Sequence, residues 1–281
     1  MSHWGIILPQ MFLFSFIFQN LFLVLTYILI ILCSIYYLNN NLEYILNLST
    51  VLFWPPEVDN LARRGKNITK RSQVLNLKEP LNDDILSIIY GSLLGNSSAE
   101  KRSDSKNTKI TFYQEGSHLE SILYLHRIVA NLGYCNTNIP KIQTKLSKNG
   151  KIKYVIKFST WSYEQFNKIK SDWYNTEGVK IIPKNIYNYL SPLALAIWIM
   201  NNGRKSDSGL ILTTNSFKYE DVLLLIDVLY KNYKIQANIQ SIGMKDQYLI
   251  YIIPSSMQKL ASIVKPYIIP SMKYKFGKIL K

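Results

Sequence analysis

Along residues 81–281, segments with apolar residues at helical spacing alternate with segments typical of β-strands. The same order of these segments occurs twice. Apolar residues at helical spacing follow Asn82-Asp83-Asp84, whose polar and acidic side chains suit the start of a helix. A second apolar helix is predicted after Ser191-Pro192, because serine is a good N-cap and proline is favoured at the first helical position. These helices open two halves, which we place at 81–184 and 185–281.

Each half continues with segments rich in β-branched and aromatic residues and with two further helical patterns. Predicted strands cover 110–114, 141–145 and 154–158 in the first half, and 210–214, 237–241 and 248–252 in the second. Predicted helices cover 119–132, 163–170, 219–233 and 255–264. The matching order of elements predicts an internal duplication.

The first part of the chain has a different composition. Residues 11–38 are almost wholly apolar, and no acidic or basic side chain other than a histidine precedes Glu43. A run of this length can span a bilayer as a helix, so we predict an apolar, transmembrane segment within 1–41; a buried helical hairpin is the alternative. Residues 42–80, broken by Trp54-Pro55-Pro56 and basic at their end, are predicted to be a linker.

Basic charge is concentrated after this apolar part. The net charge is +15, and residues 1–60 contain none of the 33 lysines and arginines. This imbalance favours a polyanionic partner, although a solvated basic surface would have the same composition. Two cysteines and three histidines form neither a disulfide framework nor a zinc-binding pattern.

The two apolar helices end alike, each at an asparagine followed by a small residue. They read Gly91-Ser92-Leu93-Leu94-Gly95-Asn96-Ser97 and Ile197-Trp198-Ile199-Met200-Asn201-Asn202-Gly203. Both resemble the signature helix of the LAGLIDADG homing endonucleases, which double as group I intron maturases. The resemblance covers roughly 61–281, including Thr213-Thr214-Asn215-Ser216-Phe217 and the run from Val264 to Met272. It is strongest to single-chain, two-motif members coded in fungal mitochondrial introns.

This resemblance implies a fold and a metal centre. The fold class is α+β, a tandem αββαββα pseudo-repeat that forms a DNA- or RNA-binding saddle after an apolar N-terminal helix. In the family, acids that hold a divalent metal such as Mg²⁺ occupy the positions of Asn96 and Asn202. Neutral amides lack the charge that attracts such ions, so we expect impaired cleavage. The resemblance also implies a lysine near each site, and we assign Lys151 and Lys245; Glu100 and Asp207 are predicted to lie in loops.

The resemblance further implies that two sheets lie along the nucleic acid. Alternate strand residues would then face the ligand, and polar or basic side chains there can contact bases or phosphates. The predicted nucleic-acid-binding residues are Thr111, Tyr113, Gln143, Lys145, Lys157, Thr213, Asn215, Gln240 and Tyr251. A half-solvated sheet face without a ligand is the alternative.

Two functions follow as hypotheses. The first is a maturase-like, cleavage-impaired protein that binds and supports the splicing of a group I intron RNA. The second is an active mitochondrial intron-homing endonuclease that makes site-specific double-strand cuts in DNA with Mg²⁺. Two motifs in one chain make a monomer sufficient. The resemblance implies synthesis inside the mitochondrion, with 11–38 either an inner-membrane attachment or an exon-type leader.

Overall fold

The computed structural model describes the C-terminal two thirds of the chain. These residues are 81–281 without 102, 104, 116–117, 148–149, 244–246 and 281, together with Ile31. The predicted segments 1–41 and 42–80, with Ile31 excepted, therefore lie outside the described residues. Within the described part, no helix has both the length and the apolar character needed to cross a membrane.

The first half follows the order αββαββα. Its helices are α1 (Asp83–Leu93), α2 (Leu119–Asn131) and α3 (Phe166–Trp173). Its strands are β1 (Ser98–Lys101), β2 (Thr108–Glu115), β3 (Gln143–Leu146) and β4 (Ile152–Ser159). The four strands pair antiparallel in the order β1-β2-β4-β3.

The second half repeats this order. Its helices are α4 (Pro192–Asn202), α5 (Tyr219–Tyr233) and α6 (Pro254–Val264), and its strands are β5 (Gly203–Lys205), β6 (Leu210–Thr213), β7 (Ala237–Ser241) and β8 (Tyr248–Ile252). They pair as β5-β6-β8-β7. Short 3₁₀ helices cover Ile186–Asn188, Lys265–Tyr267 and Pro270–Phe276. The predicted α+β pseudo-repeat is confirmed.

Several predicted bounds are wrong, and local hydrogen bonds explain two of them. Helix α3 begins at Phe166, not at Tyr163, because Tyr163 exchanges backbone hydrogen bonds with Thr108 in an extended bridge. Strand β6 ends at Thr213, because the Thr214 hydroxyl donates to the Tyr248 carbonyl (2.7 Å) and the Thr214 carbonyl accepts from the Phe217 amide in a turn. Glu100 lies in β1, where a loop was expected.

Each sheet buries one face under its helices. Along β2, the residues at even positions are buried and those at odd positions are partly exposed. On the buried face the rings of Phe112 and Phe158 stack with centroids 4.6 Å apart. In the second sheet, Leu210, Leu212 and Ile250 are fully buried. The alternation along β2 leaves its outward-facing side chains partly exposed, whereas in the second sheet Ile211 and Leu249 are buried on the outer face.

Helices α1 and α4 pack side by side at the centre. A Cβ atom added at Gly91 would collide with the Ala194 carbonyl oxygen, so glycine is needed for this close backbone approach. The Ser191 hydroxyl, which caps α4, donates to the Ser87 hydroxyl at 2.8 Å. This contact joins the two halves into one core.

Candidate nucleic-acid interface

The two asparagines lie at the same end of the central helix pair. Asn96 is exposed in the turn that follows α1, and Asn202 is the last residue of α4 and is half-buried. A Cβ atom at Gly95 would collide with Asn202 Oδ1. The Asn202 carboxamide thus packs against the residue next to Asn96, and the helix ends bring the two predicted positions together.

The Asn202 amide oxygen has no hydrogen-bond partner. Oδ1 is buried, and no described donor reaches it. A neutral oxygen tolerates this better than a carboxylate would, because burying an unpaired charge costs far more than burying an unpaired amide. Asparagine is therefore compatible with this contact in a way that an unpaired aspartate is not.

Two lysines that the sequence analysis missed hold the ends of the central helices. Lys180 Nζ donates to the carbonyl oxygens of Leu93 (3.0 Å), Gly95 (3.1 Å) and Ser97 (2.6 Å). A helix leaves its last carbonyls without intrahelical partners, and a cation there also opposes the negative end of the helix dipole. Lys180 satisfies these groups at the end of α1.

Lys275 performs the same task for α4. Its Nζ donates to the carbonyl oxygens of Ile199 (3.1 Å) and Met200 (2.6 Å), and the residue is only 1% exposed. Burial lowers the pKa of Lys180 to about 8 and the pKa of Lys275 to about 8, since the charged form is disfavoured away from water. Each half of the chain thus has one lysine that binds carbonyl oxygens at the end of its first helix.

Of the two predicted lysines, the structure describes Lys151. Lys151 is exposed in the hairpin between β3 and β4, where its carbonyl accepts from the Ser147 amide at 2.8 Å. Lys245 falls outside the described residues. Lys180 and Lys275 share one feature in the sequence, since each follows the last α-helix of its half. Both lie in irregular segments, however, where the spacing of apolar residues does not single out one lysine.

The lowered pKa values predict that the fold becomes more stable as the pH rises from 8 to 9. In this range the folded chain releases protons that unfolded lysines, with a pKa near 10.5, retain. The free energy of unfolding should then increase by about 2 kcal/mol for the two groups together. Urea unfolding at the two pH values measures the change.

The single variants Lys180→Met and Lys275→Met are the controls for this window, and each should lose about half of the increase. The range ends at pH 9, because burial also raises the pKa of the Cys135 thiol to about 12, and its ionisation on unfolding acts in the opposite direction. An unchanged stability between pH 8 and 9 in the wild type would contradict the assignment.

Strand register places most of the predicted contact residues on the outer faces. In the first sheet Thr111 pairs with Ser159 and Tyr113 with Lys157 across β2 and β4. Gln143 and Lys145 lie on the same face of β3. In the second sheet the outer face carries Thr213, Gln240 and Tyr251. Asn215 is not on a strand; it is exposed in the turn after β6.

The outer face of the first sheet is a network of charged and polar groups. Glu115 accepts hydrogen bonds from the Tyr113 hydroxyl (2.5 Å) and from Lys153 Nζ (3.0 Å), and Lys109 forms an ion pair with Glu100 (3.3 Å). Lys145 and Lys157 form no ion pair with a carboxylate that the structure describes. Those two lysines are available to an anionic ligand.

The second outer face is less charged. Among its described strand residues, Arg204 is the basic one. Ile211, Thr213, Leu249 and Tyr251 lie on the same face. Ile211 and Leu249 are at most 9% exposed. The two halves therefore share a fold but present unequal surfaces.

Comparison with known sequences identifies the family. The sequence model of the LAGLIDADG DNA endonuclease family matches residues 86–260. This chain belongs to the LAGLIDADG family. Its two signature helices are α1 and α4.

Relatives of this chain include two proteins named as maturases. Cytochrome b mRNA maturase bI2 of Debaryomyces hansenii is 52% identical over 225 residues, which cover 80% of this chain and 84% of that protein. The protein of the same name in Saccharomyces cerevisiae is 51% identical over 221 residues, which cover 76% of this chain and 52% of that protein. The present chain thus matches about half of the Saccharomyces protein.

A solved structure has the same fold. It is the homing endonuclease I-WcaI bound to its DNA recognition sequence, with a TM-score of 0.64 and 24% identity. The match covers 78% of this chain and 97% of that one. At this identity the likeness supports the fold, and the functional argument depends on the residues of this chain.

The residues at the signature-helix ends do not fit the divalent metal centre of a LAGLIDADG nuclease. Within the described part of the chain, no three His, Cys, Asp or Glu side chains come together in a group that could hold a metal. Asn96 and Asn202 bring no negative charge, and hard cations such as Mg²⁺ prefer charged oxygen ligands. The Asn202 oxygen is moreover covered by Gly95.

The two nearest acids in sequence do not replace the lost carboxylates. Glu100 is engaged by the Ser98 hydroxyl (2.8 Å) and by Lys109 on the sheet face. Burial by itself would raise the pKa of Glu100, but these hydrogen bonds together lower it. Asp207 is exposed in the bend between β5 and β6. The charge of the Glu100 carboxylate is thus already balanced by Lys109 on the neighbouring strand.

Proposed function

We propose that this LAGLIDADG protein is a maturase-like RNA-binding protein that supports the splicing of a group I intron without cutting nucleic acid. The observation that carries the proposal is the pair Asn96 and Asn202 at the ends of α1 and α4. A splicing cofactor needs contacts to phosphates, riboses and unpaired bases, and it needs no metal-binding acids. The fold is kept while the charge required for cleavage is absent.

The outer faces of the two sheets are the proposed binding surface. Lys145 and Lys157 offer unpaired ammonium groups, and Tyr113, Gln143 and Gln240 offer hydrogen bonds or ring surfaces. The identity to proteins named cytochrome b mRNA maturase supports an intron of the cytochrome b transcript as the ligand. It also supports synthesis inside the mitochondrion.

A second candidate function is site-specific DNA cleavage. The family model is that of DNA endonucleases, and the saddle of this chain has the fold of a homing endonuclease. Such an activity would require Mg²⁺ or a similar ion bound by amide or main-chain oxygens. We place this function second because Asn96 and Asn202 provide no carboxylate at the helix ends to bind the metal ion.

One experiment separates the two functions. The full chain is incubated with a pool of group I intron RNAs and mitochondrial DNA in Mg²⁺ and, separately, in Mn²⁺. Retention on the protein and strand cleavage are scored in the same sample. Retention of one intron RNA without cuts is the expected result, whereas specific double-strand cuts would overturn the proposal.

Salt is expected to weaken intron binding strongly. Each phosphate contact releases counterions, so four to five contacts should lower the affinity about a hundredfold between about 50 and 200 mM salt. Filter binding of the retained intron across this range measures the salt slope, which is the change in log affinity per unit of log salt concentration. A flat response would contradict the electrostatic interface.

Matched variants locate the origin of this slope. Lys145→Gln/Lys157→Gln removes two unpaired charges from the first outer face and should reduce the slope by about 1.5. Lys168→Gln/Lys231→Gln removes two charges from α3 and α5, where both lysines are paired with aspartates. Equal slopes in the two variants would place the phosphate contacts off the sheet.

A further inference from the structure

A basic pocket lies between β5 and the C-terminal 3₁₀ helix Pro270–Phe276. Its volume is about 460 Å³, which falls within the range of ordinary ligand pockets. The residues that line it are Lys205, Lys273, Tyr274, Gly277, Lys278 and Leu280. We name it the C-terminal pocket.

Three lysine side chains and one tyrosine ring line this pocket, and the lysines place positive charge around it. Among the described residues, no carboxylate forms an ion pair with Lys205, Lys273 or Lys278. Tyr274 is 55% exposed, although most other aromatic residues of the described part are buried or half-buried. Unpaired lysines attract a phosphate, and an open aromatic ring offers a stacking surface for a base.

The pocket is built on anchored backbone. Lys275, next to Tyr274, points inward and binds the carbonyl oxygens of Ile199 and Met200, and Tyr274, about 120° further around the 3₁₀ helix, is exposed. Gly277 has φ +60, and a Cβ there would lie 3.4 Å from Lys205 Cε. The glycine thus permits the turn, and the Lys205 chain reaches the C-terminal segment.

The first half of the chain keeps the anchor but not the side chains that line the pocket. Lys180 corresponds to Lys275, because both bind the final carbonyls of a signature helix. Counting from these lysines and from the asparagines, the positions of Lys205, Lys273, Tyr274 and Lys278 are occupied in the first half by Ala99, Gly178, Val179 and Pro183. The fold therefore does not require the three lysines and the tyrosine.

We propose that the C-terminal pocket binds one unpaired nucleotide, with its phosphate held by Lys205, Lys273 and Lys278 and its base stacked on Tyr274. The inference rests on the proposed function in that the nucleotide belongs to a single-stranded segment of the bound RNA. Unpaired RNA bases are commonly recognised by stacking on aromatic side chains, and the phosphates by adjacent basic groups. The site lies beside α4 and apart from the predicted contacts on the outer faces.

The test uses the full chain and a fluorescein-labelled oligouridylate as the single-stranded probe. Lys205→Gln/Lys273→Gln/Lys278→Gln should weaken binding at least about tenfold and reduce the salt dependence, the slope of log affinity against log salt, by about 0.7, corresponding to the one phosphate that these lysines hold. The matched control Lys168→Gln/Lys231→Gln/Lys259→Gln removes the same charge from exposed helix positions and should change affinity less than about twofold. Equal losses in both triple variants would overturn the site.

A second pair of variants tests the stacking. Tyr274→Leu keeps an apolar side chain and should weaken binding about tenfold, whereas Tyr274→Phe should bind as the wild type does. A blunt-ended RNA duplex should be affected less than the single strand by all pocket variants. A duplex weakened as much as the single strand would overturn the assignment to an unpaired nucleotide. Unchanged thermal melting shows that the variants fold.

Intron retention, scored in parallel, separates this inference from the proposed function. If the wild type retains an intron RNA and the pocket variants bind the oligouridylate normally, the pocket assignment alone is wrong. If no intron is retained and the pocket variants still lose the oligouridylate, the maturase proposal fails and the nucleotide site stands.

Discussion

Replacing both asparagines with aspartate is expected to give this protein a metal-dependent nuclease activity. Asn96→Asp/Asn202→Asp restores two negative charges at the adjoining ends of α1 and α4, where an amide now packs against Gly95. Metal ions at such centres supply several kcal/mol of transition-state stabilisation, which corresponds to a rate increase of about a thousandfold. Cleavage of mitochondrial DNA in Mn²⁺ measures the gain.

The control places the same charge one residue away. Asn96→Asp/Asn201→Asp has the same composition, but residue 201 lies about 100° around the helix from residue 202. It should remain inactive. If the aspartates at 96 and 202 also produce no cuts although Mn²⁺ binds, the loss of cleavage extends beyond these two positions.

Removing either of the two lysines at the helix ends should destabilise the fold strongly. Lys180→Met leaves the carbonyls of Leu93, Gly95 and Ser97 without their donor, and Lys275→Met does the same for Ile199 and Met200. Unpaired buried acceptors cost about 1–3 kcal/mol each, partly offset by the added apolar side chain, so we expect a loss of about 3 kcal/mol per variant. Urea unfolding at pH 7 measures it.

Lys168→Met provides the comparison. Lys168 is 77% exposed and pairs with Asp172 on the surface of α3, so its replacement should cost less than about 0.5 kcal/mol. If Lys180→Met unfolds at the same urea concentration as Lys168→Met, the carbonyl contacts contribute little. If the folded variants bind nucleic acid as the wild type does, Lys180 and Lys275 act only by stabilising the helix ends.

Much of the fold follows from the sequence because its apolar pattern is regular. The bounds predicted for α5, β7 and β8 agree with the structure, since these elements have strong periodicity and clear ends. Strands β1 and β5 were missed because Ser98–Lys101 and Gly203–Lys205 are short, polar edge strands. Their place in the sheet depends on pairing with β2 and β6, which a local pattern does not contain.

The helix-end centre was predicted only in part. The asparagines were found because they end two recognisable helices, whereas Lys180 and Lys275 lie in irregular segments far from those helices in sequence. A buried lysine has no periodic signature; its role depends on which carbonyls the tertiary fold brings to it. Lys151 was chosen from its spacing to a strand, and its part in the chemistry stays a prediction.

The unequal outer faces give the saddle a direction. Among the strand residues that the structure describes, four lysines (Lys109, Lys145, Lys153 and Lys157) lie on the first face and one arginine lies on the second. A homodimer of one half would repeat every residue and could not tell one end of a ligand from the other. Two halves in one chain accumulate their own mutations, so a strand laid across both sheets has a preferred 5′-to-3′ orientation.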